Sequence, residues 1–362
     1  MRMCLKLLGW WQFKLQFKAV PLTSQKILSD QFISLAHGNG GRLMRELIEQ
    51  LFARHLKNDL LDTDTDAAYI PLNLHGGDIV VTTDGFTVEP LEFPGGNIGS
   101  LAVHGTVNDL AVSGATPLYL TLNAFVEEGL EIALLDRIVQ SMAKACQECG
   151  VKIVAGDTKV LKRGQGGGVY FATTGIGQRS SSLTLGIKQI EPGDLILLSG
   201  TAGDHGTAVM LAREQFGLSG SLKSDAASVL PITQALIKHP GLRFMRDPTR
   251  GGIATIAHEI AKSTLSGVRF YESKIPINES VKAVAEMLGY DPLYMACEGR
   301  VLAVIDPLEA EQALQDLHGL GYLEAAIIGR IEKGPAYALI ETVLGGERIL
   351  QELEEDPLPR IC

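Results

Sequence analysis

The sequence predicts a two-domain protein of the α/β or α+β class. The chain has 362 residues, a length that suits two domains of roughly 150 residues each. Its hydrophobic fraction of 46% and charged fraction of 20% are typical of a globular protein with a large core. Predicted strands and helices alternate along both halves of the chain, which favours mixed α and β structure over either alone.

In the first half, apolar residues at helical spacing predict helices at 42–56, 98–113 and 133–149. Short apolar runs bounded by polar or glycine residues predict strands at 78–84, 151–155 and 169–175. Four glycines between 164 and 168 separate the last two strands and predict a hairpin turn between them.

A domain boundary is expected near residue 185, because a turn and a new apolar strand at 195–198 follow it. Helices are predicted at 207–214 and 251–262 and a strand at 301–305. We therefore expect four parts, an extension at 1–32, an N-terminal domain at 33–185, a C-terminal α/β domain at 186–350, and a mobile tail at 351–362.

Charge and composition argue against several classes of protein. The net charge of −10 gives no electrostatic support for nucleic-acid binding. No run approaches the ~18 apolar residues of a transmembrane helix. Five scattered cysteines are typical of a reduced, cytoplasmic protein, and we interpret the Cys146/Cys149 pair as core packing. The basic first 29 residues lack the features of a signal peptide, so we assign them no role.

Several aspartates stand where a strand or helix can present them to a ligand. They are Asp66, Asp84 at the end of a strand, Asp109 in an apolar helix, and Asp247 ahead of a helix. A lone aspartate in such a place is usually a cap, but an unpaired carboxylate on an apolar helix is costly to bury. Convergence of the four would suit Mg²⁺, which prefers carboxylate, water and phosphate oxygens.

Three other segments carry candidate site residues. The loop of Gly38, Asn39, Gly40 and Gly41 precedes a helix and can present N–H groups to a phosphate, although an ordinary helix-entry turn looks the same. The segment 156–159 follows the buried strand and brings Lys159, which can sit beside a phosphate or lie in solvent. Glu298 is the matching candidate in the second half, with a turn residue as its ordinary interpretation.

The last residue is Cys362, on a segment that two prolines stiffen against helix or sheet formation. A prenylation signal is excluded, because nothing follows the cysteine. Ten extended residues span about 30 Å, so the tail can carry a thiol between a pocket and the outside. The alternative interpretation is a terminal cysteine without function.

Together these segments resemble the HypE family of hydrogenase maturation proteins, within the aminoimidazole-ribonucleotide synthetase-like ATP-binding superfamily. The resemblance runs from about residue 33 to the end, and the terminal Pro-Arg-Ile-Cys is its most specific part. The segments that carry it are 36–41, 82–84, 93–96, 105–115, 156–159, 199–206, 245–252, 297–300 and 359–362.

The resemblance implies an ATP-dependent enzyme that dehydrates a carbamoyl group on Cys362 to a thiocyanate and supplies cyanide for the iron of nickel-iron hydrogenase. It implies a two-domain synthetase-like fold and a homodimer paired through the N-terminal sheets, with HypF as carbamoyl donor and a HypC–HypD complex as acceptor. It also implies site residues. These are Cys362, Glu298 and Lys159 for catalysis, Gly38, Asn39, Gly40, Gly41, Asn108 and Asp157 for ATP, and Asp66, Asp84, Asp109 and Asp247 for Mg²⁺.

Two alternatives remain open from the sequence. One is another ATP-using enzyme of the superfamily, of the selenophosphate synthetase or thiamine-phosphate kinase type. A selenophosphate synthetase would need a reactive cysteine in a glycine-rich segment, and Cys4 does not lie in such a segment. A thiamine-phosphate kinase has no use for a terminal cysteine. The other alternative is a non-enzymatic protein that only carries a group on Cys362.

Overall fold

The computed structural model describes residues 30–38, 42–61, 77–213 and 221–353. In the first half the helices are α1 (Arg42–Leu47), α2 (Arg54–Leu56), α3 (Ile98–Val112) and α4 (Ile132–Cys149), with a π-helix at Ile48–Ala53 joining the first two. The strands are β1 (Gly77–Phe86), β2 (Glu92–Phe93), β3 (Gly96–Asn97), β4 (Thr116–Glu127), β5 (Lys152–Leu161) and β6 (Val169–Ser180).

Four of these strands form one sheet in the order β1-β6-β4-β5. Strand β6 pairs antiparallel with both β1 and β4, whereas β5 lies parallel to β4. The predicted hairpin between β5 and β6 is therefore wrong, because β4 lies between them and the glycine-rich connection crosses over it. The two-stranded β2–β3 ribbon lies apart from this sheet.

Helices α3 and α4 cover one face of the four-stranded sheet and bury the main core of the first half. Asn97 starts α3 by accepting hydrogen bonds from the N–H groups of Gly99 and Ser100, and Gly150 ends α4 in the left-handed conformation at φ 69°. Nearly every residue of α3 is buried, because the helix also packs against the second half of the chain. Asn108 of α3, for example, hydrogen-bonds to the backbone of the second half.

The second half adds five helices and seven strands to the described chain. The helices are α5 (Asp204–Ala212), α6 (Leu230–Leu236), α7 (Gly252–Thr264), α8 (Glu279–Leu288) and α9 (Pro307–Gly319). The strands are β7 (Leu195–Leu198), β8 (Leu242–Arg246), β9 (Gly267–Tyr271), β10 (Leu302–Ile305), β11 (Ala326–Glu332), β12 (Tyr337–Glu341) and β13 (Glu347–Ile349).

These seven strands form a mixed sheet in the order β13-β12-β9-β11-β7-β10-β8. Apolar residues on both of its faces are buried under helices, one face against α7 and the other against α6 and α9. The edge strand β8 leads directly into the segment 247–252 beside α3. No helix in the described residues is long and apolar enough to cross a membrane.

Candidate active site

Two aspartates of the first half face the second half because of the strand and helix that carry them. In β1 the residues at even positions point toward α3, and Thr82 on that face donates a hydrogen bond to Asp109 of α3, with 2.8 Å between Oγ1 and Oδ2. Asp84 lies two residues further along the same face. Both carboxyl groups therefore point into the space between the sheet and the second half.

Asp247 reaches the same space from the other side, directly after β8. Asp84, Asp109 and Asp247 all line a cleft of ≈ 760 Å³ between the two halves, a volume within the range of small-molecule sites. The cleft is rich in cationic side chains as well, which are Arg179, Arg246 and Arg250. Arg250 lies 3.4 Å from Asp84, measured from Nη2 to Oδ1. Such a mixture suits a ligand that carries both anionic phosphates and a bound cation.

Glu298 joins these aspartates in a smaller cavity at the inner end of the cleft. Its side chain is 2% exposed and its Oε1 atom has no hydrogen-bond partner. Asp84, Asp109, Asp247, Thr249 and Arg250 line the cavity with it. A buried carboxyl oxygen without a protein partner is rare in folded proteins, and the arrangement leaves this oxygen available to a ligand in the cavity.

Burial and mutual repulsion raise the pKa values of three of the acids, Asp109, Asp247 and Glu298. Burial, followed by the nearby Asp109, raises the pKa of Asp247 to about 7. The pKa of Glu298 is raised well above its usual value by burial and then by Asp247, and burial also raises the pKa of Asp109. The site is thus poised to accept positive charge, because a cation would relieve the repulsion and allow the carboxyl groups to ionise.

Asn108 does not lie where a residue that binds ATP is expected. Its side chain is buried and bonded to three backbone groups of the second half. Nδ2 donates to the carbonyl oxygens of Ala227 and Glu298, and Oδ1 accepts from the N–H of Val229, at 3.0, 3.1 and 2.9 Å. These bonds use both N–H donors of the amide and one acceptor position of its oxygen, so the structure gives Asn108 a role in joining the two halves.

Asp157 and Lys159 do not line the cleft. The prediction that segment 156–159 follows a strand is wrong, because β5 continues through it to Leu161. Both side chains lie on the face of the sheet opposite α3, half-exposed, and form an ion pair of 2.8 Å between Lys159 Nζ and Asp157 Oδ2. Neither residue contacts Glu298 within one copy of the chain.

Other predicted residues fall wholly or partly outside the described structure. Gly38 ends a 3₁₀ helix, Leu35–Gly38. Asn39, Gly40, Gly41, Asp66 and Cys362 lie outside the described residues, so their predicted roles stay predictions.

The last described residues are held against the segment that carries Glu298. Tyr294 donates its hydroxyl hydrogen bond to the carbonyl oxygen of Gln351 at 2.8 Å, and Arg348 pairs with Asp291 at 2.9 Å. Leu350 is fully buried beneath them. We call residues 348–353 the tail root. It places the start of the C-terminal segment beside α7 and the mouth of the cleft.

Sequence reasoning missed Asp225 and the cleft arginines. Asp225 lies in a segment without helical or strand periodicity, yet its side chain is 1% exposed and bonded to the backbone next to Glu298. Two of the cleft arginines could have been predicted from the sequence, because Arg246 and Arg250 lie close to Asp247 along the chain.

Comparison with known families matches nearly the whole of both halves. The model described as AIR synthase related protein, N-terminal domain, matches residues 64–178, and the corresponding C-terminal domain model matches residues 191–341.

Characterised relatives are similar over most of the chain. The carbamoyl dehydratase HypE of Azotobacter vinelandii is 44% identical over 334 residues, which cover 91% of this chain and 97% of that protein. The carbamoyl dehydratase HypE of Escherichia coli K12 is 40% identical over 335 residues, covering 91% and 99%.

Solved structures agree with the sequence relatives. The crystal structure of a hydrogenase maturation protein HypE in complex with ATP has a TM-score of 0.86 and 42% identity, covering 91% of this chain and 99% of that one. A HypE–HypF complex matches with a TM-score of 0.74 and 43% identity, covering 85% and 99%. A thiamine-monophosphate kinase from Stenotrophomonas maltophilia, at 20% identity and a TM-score of 0.61, shares the fold alone.

Proposed function

Because this chain belongs to the HypE family of carbamoyl dehydratases, we propose that it uses ATP to dehydrate a carbamoyl group carried as a thioester-like carboxamide on Cys362. The reaction converts Cys-S-C(O)NH₂ and ATP into Cys-S-C≡N, ADP and phosphate, and the nitrile then serves as the source of cyanide for a metal centre. The observation that carries the proposal is the buried, unpartnered Glu298 oxygen in a cavity lined by aspartates of both halves.

The chemistry explains why a carboxyl group is needed at this position. The carboxamide oxygen is a poor leaving group until it is phosphorylated, and it becomes nucleophilic when the NH₂ group loses a proton during the attack on the γ-phosphate. Glu298 takes this proton as the O–P bond forms and the bond to ADP breaks. After that proton passes to solvent, Glu298 takes the second proton as phosphate departs and the C≡N bond forms.

The tail root supports Cys362 as the carrier. It begins the C-terminal segment at the mouth of the cleft, and ten residues can span about 30 Å from there. Mass spectrometry of the C-terminal peptide, after incubation with a carbamoyl donor system and ATP, tests the proposal. We expect a carbamoyl adduct on Cys362 that loses one water only when ATP is present. A carbamoyl adduct that persists with ATP would favour a simple carrier.

Mg²⁺ is proposed as the companion of ATP, held by Asp84, Asp109 and Asp247, with Asp66 outside the described residues. Within the described ranges no three His, Cys, Asp or Glu side chains are grouped so as to hold a metal ion by themselves. The donor set still fits Mg²⁺, because this ion usually takes one or two carboxylates and completes its shell with waters and phosphates. When bound, it would neutralise phosphate charge during transfer.

Replacing Asp247 by asparagine tests this metal proposal. We expect at least tenfold weaker binding of Mg·ATP, since a charged ligand of the cation is lost. Because the buried carboxyl has a raised pKa, it opposes folding when ionised at pH 8, so the variant should melt at a higher temperature in the absence of ligand. Titration calorimetry and thermal melting measure the two effects. Asp194→Asn, which alters another buried carboxyl group, is the control and should bind Mg·ATP as the parent does. An Asp247→Asn variant with the same Mg·ATP affinity as this control would contradict the proposal.

A homodimer is proposed to form through the face of the four-stranded sheet that the described residues leave exposed. This face, opposite α3 and α4, carries apolar side chains that include Ile79 and Val81, which are 46% and 61% exposed. It also carries Asp157 and Lys159. Pairing of two such faces would bury the apolar residues and bring Lys159 of one copy toward the other copy's cleft, which Thr83 and Val81 border. The proposed roles of Lys159 in catalysis and of Asp157 in ATP binding therefore depend on the dimer.

An Ile79→Asp variant is expected to be monomeric. A carboxylate within a paired face would be buried without a partner, which costs on the order of several kcal/mol. Light scattering coupled to gel filtration measures the mass. Ile349→Asp is the matched control, because Ile349 is 66% exposed on the second half and should leave the dimer intact. Two variants of equal, dimeric mass would exclude the sheet face as the interface.

HypF is proposed as the carbamoyl donor, since a HypE–HypF complex is among the similar structures. A HypC–HypD complex is proposed as the acceptor of cyanide, on the family resemblance alone. The described cysteines are all unpaired thiols, which is consistent with the proposed cytoplasmic location.

A further inference from the structure

Asp225 holds the backbone N–H groups on both sides of the Glu298 Cα atom. Its Oδ1 atom accepts a hydrogen bond from the N–H of Glu298, and its Oδ2 atom accepts one from the N–H of Gly299, both at 3.2 Å. Its side chain is 1% exposed, and its charge is balanced by Arg300, whose Nε lies 3.6 Å from Oδ2. One carboxylate thus bridges two successive peptide groups.

Asn108 and Ala227 hold the other side of the same residue. The carbonyl oxygen of Glu298 accepts hydrogen bonds from Asn108 Nδ2 at 3.1 Å and from the N–H of Ala227 at 3.4 Å. Asn108 belongs to the first half, whereas Asp225 and Ala227 belong to an extended segment of the second half. Both polar groups of the Glu298 backbone are therefore fixed, although its carboxyl oxygen Oε1 is not.

Gly299 allows this close approach. A Cβ atom at this position would lie 1.9 Å from the carbonyl oxygen of Asp225, a distance that real side chains do not adopt. The segment around Asp225 can therefore lie directly against the Glu298 loop only because residue 299 has no side chain.

We propose that Asp225 is a positioning residue that fixes the Glu298 backbone, so that the glutamate carboxyl projects into the reaction cavity without a protein partner. The proposal rests on the role of Glu298 given above. Catalytic groups are effective only within a narrow range of positions, and a 1 Å displacement can reduce a rate by about a hundredfold. Asp225 itself lines neither the cleft nor the small cavity, so it acts through Glu298.

Asp225→Asn is the first test. The amide keeps the size of the side chain but turns an NH₂ group toward a backbone N–H, so one of the two hydrogen bonds accepted from the backbone is lost. We expect single-turnover conversion of carbamoylated Cys362 to fall at least tenfold, with the Kd for ATP changed less than twofold. Asp194→Asn, which alters an equally buried carboxylate beside Arg243, should keep the parent rate. An unchanged rate, or a parallel loss of ATP affinity, would overturn the proposal.

A double-mutant cycle separates positioning from general damage to the fold. If Asp225 acts only through Glu298, adding Asp225→Asn to Glu298→Gln should not lower the residual rate further. Multiplicative losses would show an independent effect and overturn the proposal. If Asp225→Asn folds poorly, Asn108→Ala provides the same comparison from the carbonyl side. A Glu298→Gln variant at the parent rate would instead refute the role of Glu298, whatever Asp225 does.

Discussion

A Cys362→Ala variant is expected to make no thiocyanate at all, while it folds and binds ATP as the parent does. No other cysteine in the described residues can replace it, because Cys146, Cys149 and Cys297 are all buried. Burial also raises the pKa of Cys146 to about 12 and that of Cys297 well above its usual value, so neither thiol is reactive. Mass spectrometry should find no carbamoyl or cyano adduct.

Cys149→Ala serves as the matched control for this experiment. It removes a thiol from the end of α4, where the side chain packs in the core and bonds to Ser228, away from the cleft, so conversion on Cys362 should continue at the parent rate. Cyanide production by the Cys362→Ala variant would show that the group is carried elsewhere and would remove the basis of the proposed reaction.

Glu298→Gln is expected to stop the dehydration before its first proton transfer, after Cys362 has been carbamoylated. Glutamine keeps the size of the side chain but cannot take a proton, and loss of a general base typically costs a factor of about 10²–10⁴ in rate. Carbamoylated Cys362 should accumulate, and ATP should still bind because no charged phosphate contact is removed. Quenched-flow sampling with mass spectrometry follows both forms of the peptide.

Glu309→Gln is a suitable control, since that glutamate pairs with His239 at 3.1 Å on the far side of the second half. It should convert the carboxamide at the parent rate. If the Glu298 variant does so as well, another group must remove the protons from the carboxamide nitrogen.

The sequence supports the fold class and part of the site for clear physical reasons. Periodic apolar residues indicate strands and helices because each element buries one side, and the α+β class is confirmed by the structure and by the family comparison. Asp84, Asp109, Asp247 and Glu298 line one cavity, whereas their spacing in the sequence left this convergence open and only the family resemblance favoured these positions.

The errors arise where distant segments determine the outcome. The β5–β6 hairpin was wrong because the pairing of each strand with β4 depends on contacts far away in sequence. Lys159 was placed after a strand, but β5 continues past the glycine at 156. No local sequence pattern marks Asp225 as a site residue. Its hydrogen bonds are to the backbone of a loop more than seventy residues later in the chain.

The tail root has a consequence for the concentration of substrate that the enzyme experiences. Tyr294 and Asp291 fix the chain at Gln351 and Arg348, and eleven residues lead from Gln351 to Cys362, the proposed carrier. Covalent attachment over such a short length of chain gives a local concentration of about millimolar order. Turnover of the attached group should therefore be independent of protein concentration, whereas a detached carbamoyl-cysteine peptide would need millimolar amounts to compete.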